Sequence, residues 1–220
     1  MLDTSFPRPP GDVGNPASWA MPVLFATIPG ATARLVVDGG ATEMVDAFVA
    51  GAQHLALRGA VGLITSCGFL AAMQPALARC CPLPVATSAL LQIPMLQACM
   101  QGKVGVITYD AQALTAAHFR AVGADPATPV VGLPPDGAFH AMIERRGDYD
   151  PQALQAEVIA AAHRLLAGHP GITALVLECT NLPPFSPALR AATGLAVYDV
   201  LSLGHWFYAG LTGQGHPPHV

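Results

Sequence analysis

The sequence predicts an α/β fold made of two pseudo-symmetric units, each with a parallel four-stranded sheet and flanking helices, with an active site between them. Three observations carry this. Apolar runs of strand length alternate with longer segments of helical periodicity along most of the 220 residues. One stretch occurs twice: an offset of 112 residues, without a gap, lays Gly59 on Gly171, Leu63 on Leu175, Cys67 on Cys179, Leu70 on Leu182 and Val85 on Val197. The Pro-Ala-Leu at Pro75 falls on that at Pro187 by the same offset. Each copy reads as a buried strand, a cysteine and then an Ala/Pro/Leu-rich helix, the order of a parallel strand–helix unit.

The expected boundaries are 1–100 for the first unit and 101–200 for the second, with 201–220 packing back on the first. Met1–Thr4 is read as a short opening strand and Ser5–Ala20 as a long loop broken by Pro7, Pro9, Pro10, Gly11, Gly14 and Pro16. A loop of this kind is often functional where it lies over a site. Pro22–Ile28 reads as a strand. Thr42–Leu57 reads as a helix whose Met44, Val45, Phe48, Val49, Ala52 and Leu55 share a face. The first repeat follows and ends in a strand at Pro84–Ala86, with Gln92–Gln101 as the crossing to the second unit.

Lys103–Thr108 is an apolar strand, and Asp110 suits the cap of a helix over 111–122. Thr128–Leu133 is a further strand and Pro134–Asp148 a loop. Pro151–Ala167 is a helix with Asp150 as its cap and proline at its first position. The second repeat closes with a strand at Leu195–Tyr198, then a helix at Leu201–Leu211 and a terminal tail.

Composition excludes several classes. Hydrophobic residues make up 52% and charged residues 11%, well under the roughly 25% of an average soluble chain. The surplus of apolar surface points to a homodimer. A net charge of −4 with one lysine, Lys103, argues against nucleic acid or anionic membrane as partners and leaves a small molecule as the expected ligand. No apolar run approaches the roughly 18 residues of a membrane span, and the opening residues lack the order of a secretory leader. Five cysteines fit free thiols in a reducing cytoplasm.

Cys67 and Cys179 are the candidate catalytic residues. Each follows a strand and precedes a helix, where open α/β sheets bind ligands and where a helix amino end favours thiolate. Two thiols on opposite walls of a cleft suit removal of a proton from one face of a carbon and delivery to the other, which requires neither metal nor cofactor. Cys80, Cys81 and Cys99 read as structural. Glu178 is expected to point away from the cleft by strand alternation, and the histidines to be surface or packing residues.

With its paired cysteines after strands and the run Cys179-Thr180-Asn181, the chain resembles the aspartate/glutamate/hydantoin racemase superfamily over nearly its whole length. The opening Leu2–Arg8 and Gly11–Asn15 are similar to one of its uncharacterised branches. The resemblance implies a cofactor-independent amino-acid, carboxylate or hydantoin racemase in which Cys67 and Cys179 alternate as base and acid, and commonly a dimer. Residues beside the cysteines would then bind the substrate: Gly68, Phe69, Thr180 and Asn181, with Thr108 at its strand end. Asp3, Thr4 and Arg8 fall where the first strand opens into the site, Arg8 as a bidentate carboxylate clamp. Amino-acid racemases of the superfamily usually have Asn-Thr after the first cysteine, where this chain has Gly68-Phe69. Arylmalonate decarboxylase-like or maleate isomerase-like chemistry are the enzymatic alternatives, and a non-catalytic acid-binding or thiol redox-sensing protein is the other.

Overall fold

The repeated stretch builds the strand ends of two parallel sheets. The computed structural model describes residues 1–144 and 147–213. In chain order the elements are α1 (Ala33–Val37), α2 (Val45–Leu57), β1 (Leu63–Ile64), α3 (Gln74–Cys80), β2 (Val85–Ala86) and α4 (Ile93–Cys99), then β3 (Lys103–Thr108), α5 (Ala116–Ala121) and β4 (Val130–Gly132). There follow α6 (Ala138–Glu144), α7 (Pro151–Gly168), β5 (Ile172–Leu177), α8 (Ser186–Thr193), β6 (Ala196–Tyr198) and α9 (Val200–Thr212). One sheet pairs β1 with β2; the other has the order β4-β3-β5-β6, and every pairing is parallel. The α/β class with parallel sheets and flanking helices is as the sequence predicts.

The second sheet is central because its strands are apolar on both faces. Ala174, Leu175, Val176 and Leu177 are wholly buried, as are Val106 and Ile107 of β3. Helix α7 packs against β3, β4 and α8, and α4 against β3. Asp150 caps α7 as expected, accepting from the N–H groups of Gln152 and Ala153, with Pro151 at the first position.

Four differences from the sequence reading have local causes. The first sheet has two hydrogen-bonded strands among the described residues instead of four. Residues 1–3 and 28–31 meet through isolated backbone bonds and not a ladder, Ile28 N–H to Met1 O at 3.0 Å and Asp3 N–H to Ala31 O at 2.9 Å. Pro22 removes a donor at the start of a ladder through 22–28, and Pro29 removes the one that would continue it. Asp110 caps only a turn, accepting from Gln112 and Ala113; the helix starts later because Thr115 and His118 form a capping box. Within the expected loop 134–148, Ala138–Glu144 is helical, with Phe139 and Met142 buried. Last, α2 starts at Val45, after a 3-10 turn over Gly40–Met44.

Helix α9 lies against the first sheet. Trp19 and Ile64 crowd Gly204, and Leu211 and Phe207 crowd Gly62. Residues 214–220 of the expected C-terminal segment lie outside the described residues. No helix among the described residues is long and apolar enough to cross a membrane.

Candidate active site

Cys67 stands three residues past β1 and Cys179 two residues past β5, so both strand ends deliver a thiol to the seam between the sheets. The seam is closed by hydrogen bonds. Thr180 Oγ1 donates to Ser66 O at 2.8 Å, and Ser66 Oγ accepts from Leu2 N–H at 2.8 Å. Both cysteines border one cavity of about 40 Å³, which Thr4, Phe6, Arg8, Tyr109 and Glu178 also line. That cavity shares Thr4, Phe6, Tyr109 and Ile143 with a groove of about 1350 Å³, a route of entry from solvent.

The thiols rest protonated, contrary to the expectation of a thiolate at a helix amino end. Burial, with the neighbouring Glu178 carboxyl second, pushes Cys67 up to about 12; N–H groups of Phe69 and Leu70 and the Arg8 charge oppose this less strongly. Cys179 is likewise raised well above the ordinary thiol range by burial and then by Glu178. The helix effect is weak at Cys67 because a 3-10 turn over Gly68–Met73 follows it, and α3 begins only at Gln74. Cys179 Sγ lies 3.7 Å from Asn181 Oδ1 as a donor.

Most of the residues expected from sequence come together here. Thr4, Arg8, Gly68, Phe69, Thr180 and Asn181 line the cavity. Asp3 does not: it is exposed, accepts from Gly30 N–H at 3.1 Å and borders only the outer groove. Thr108 is wholly buried behind the wall, where its hydroxyl donates to Glu178 Oε2 at 2.6 Å. Arg8 lines the cavity with its guanidinium already engaged. Nη1 meets Asp12 Oδ1 at 3.0 Å, Nη2 donates to Thr4 Oγ1 at 2.8 Å, and the group lies 4.4 Å from the centre of the Phe6 ring.

Three residues were not legible as site residues. Glu178 faces the cavity and not away from it, because β5 ends at Leu177 and strand alternation stops there. It is fully buried, which raises it to about 7 against the Thr108 hydrogen bond that lowers it. Asp12 is buried and accepts from Asn181 Nδ2 at 2.6 Å as well as from Arg8, so it braces both walls. Tyr109 lies at the mouth; its ring stacks on His140 with centroids 3.9 Å apart, and its hydroxyl donates to Glu144. His140 is thus a buried neighbour of the site. The structure also shows why position 68 is glycine: a Cβ there would stand 2.2 Å from Glu178 O and 2.3 Å from Oε1. The Asn-Thr of amino-acid racemases cannot follow Cys67 while Glu178 occupies this place.

No family model matches the chain. A dimethylsulfoniopropionate lyase of Durusdinium sp. clade D is 33% identical over 219 residues, covering 95% of this chain and 72% of that protein. The chain belongs to the dimethylsulfoniopropionate lyase family. Further members from Emiliania huxleyi (strain CCMP1516), dimethylsulfoniopropionate lyases 3 and 7, are 29% and 27% identical; the chain spans 56% and 65% of their lengths. In fold the chain is similar to the Gly74Cys mutant of arylmalonate decarboxylase in a sulfate-associated form, with a TM-score of 0.63 at 19% identity over 91% of this chain and 87% of that one. It is also similar to glutamate racemase from Thermus thermophilus, at 0.52 and 24% over 80% and 66%. The chain therefore shares the fold of arylmalonate decarboxylase and glutamate racemase, the fold that the resemblance in sequence implied. The expected reaction does not stand. The curated relatives are lyases, which overturns the amino-acid racemase expectation together with its decarboxylase, isomerase and redox-sensor alternatives.

Proposed function

We propose that this protein is a dimethylsulfoniopropionate lyase that eliminates dimethyl sulfide and leaves acrylate. The observation that carries the reading is the 33% identity to a lyase of that description across almost the whole chain. The cavity supplies groups that suit the chemistry. Elimination needs a base at the carbon beside the carboxylate, and the sulfur must leave with its bonding pair. One of Cys67 and Cys179 acts as thiolate and takes that proton. The C–H pair becomes the second bond of the alkene, the C–S bond breaks, and sulfur departs neutral as dimethyl sulfide. The other cysteine stays protonated and donates a hydrogen bond to the substrate carboxylate, where charge builds in the transition state.

The substrate itself favours ionisation. A sulfonium beside a buried thiol favours the charged form of that thiol, offsetting the burial that keeps both protonated in the free protein. The Thr4 hydroxyl and the Arg8 charge give the carboxylate end a polar wall. Purified protein incubated with dimethylsulfoniopropionate is expected to release dimethyl sulfide into the headspace and acrylate into solution in equal amounts. Release no faster than in buffer alone, from pH 6 to 9, would overturn the reading.

A further inference from the structure

Among the described residues Glu178 is the one carboxylate bordering the thiol cavity, and its position is over-determined. Thr108 holds Oε2, the bare Cα of Gly68 makes room for the side chain, and its backbone leads directly into Cys179. Its Oε1 is buried with no hydrogen-bond partner, and no ion pair reaches it among the described residues. The cation nearest in the lining, Arg8, is committed to Asp12 and Thr4. A buried carboxylate oxygen without a donor is costly to keep, and a ligand carrying a positive charge would relieve it.

The kind of cation follows from the walls. A primary ammonium brings three N–H donors that all need acceptors, whereas Leu2, Val37, Phe69 and Ile143 make much of the lining of this cavity apolar. A sulfonium or quaternary ammonium has no N–H; it needs one negative charge and apolar surface for its methyl groups. We propose that Glu178 is the counter-ion of the substrate's sulfonium group and sets the protein's preference for acids that carry a fixed, donor-free positive charge. The substrate's identity rests on the lyase reading; the counter-ion geometry does not.

Two non-reactive probes of equal shape isolate the charge: 3-(trimethylammonio)propanoate and its neutral carbon isostere 4,4-dimethylpentanoate, titrated by calorimetry. The wild type is expected to bind the cationic probe at least about tenfold more tightly. Glu178→Gln is expected to bring the two within about threefold while leaving the neutral acid's affinity in place. Thr108→Val removes the hydrogen bond that favours the ionised carboxyl, so its preference is expected to fall at pH 7 and recover at pH 9; it serves equally if the Gln variant does not fold. Equal binding of the probes by wild type, failure of both to bind, or a preference that survives in both variants would overturn the proposal. The two readings separate cleanly. Dimethyl sulfide release with the probe preference unchanged in Glu178→Gln sinks the counter-ion and spares the lyase. A Glu178-dependent preference in a protein that releases no dimethyl sulfide does the reverse.

Discussion

Cys67→Ala and Cys179→Ala are each expected to slow dimethyl sulfide release by at least about 100-fold, the low end of what a positioned proton-transfer group contributes. Neither change should unfold the protein: Cys179 is buried and Cys67 half-buried, each packs as a small hydrophobe, and alanine leaves only a sulfur-sized gap. Serine tells the roles apart. Its hydroxyl can still donate a hydrogen bond but does not ionise in the working range. At the thiol that donates to the carboxylate, serine should therefore retain much of the rate; at the thiol that takes the proton it should be as damaging as alanine. Initial rates for the four variants, normalised to folded protein, decide this. Activity within a few fold of wild type in both alanine variants would remove the cysteines from the chemistry.

Asp12→Ala is expected to have the largest effect on stability, about 3–5 kcal/mol, the range for removing one partner of a buried ion pair. The carboxylate is 1% exposed and its partner Arg8 16%. Besides Arg8 it accepts from Asn181 Nδ2 at 2.6 Å and from the Gly14 N–H at 2.7 Å. Its loss leaves a guanidinium partly buried with no counter-charge and frees Asn181, whose Oδ1 lies beside the Cys179 thiol. Urea denaturation should show the midpoint falling at unchanged slope. A loss under about 1 kcal/mol would mean that Arg8 finds water or another anion, and that the brace is not structural.

The strand-and-cysteine frame was legible because it depends on local pattern. Leu63 and Leu175, with the cysteines that follow, repeat at one offset, and the apolar runs mark strands buried on both faces. What escaped lies where regular pattern stops. Alternation placed Glu178 outside because the strand was carried one residue too far. Asp12 and Tyr109 enter the site through contacts made across the fold, from a proline-broken loop and a strand end, and no spacing rule relates them to the cysteines. Asp3 was placed in the site because the first strand was expected to open there, yet its side chain turns to Gly30. The reaction was the least legible part. The frame is shared with racemases and decarboxylases, and fold does not fix chemistry. Only the departure at Gly68 hinted at a different substrate, and its meaning depends on the carboxylate beside it.

That carboxylate also bears on how the chain folds. Burial raises Glu178 from 4.5 to about 7, so the folded protein holds a proton that the unfolded chain gives up. Below pH 4.5 the group is neutral in both states and costs nothing. As pH rises towards 7 the unfolded chain ionises first, and the penalty grows to about 3 kcal/mol before levelling off above the folded value. Unfolding free energies measured at pH 5 and pH 8 should therefore differ in favour of the acid side, and Glu178→Gln should flatten the difference. An unchanged slope in that variant would assign the pH dependence elsewhere. In alkaline solution the buried Glu178 charge is a weak point of the fold, and a cation seated beside it should raise the melting temperature more at pH 8 than at pH 5.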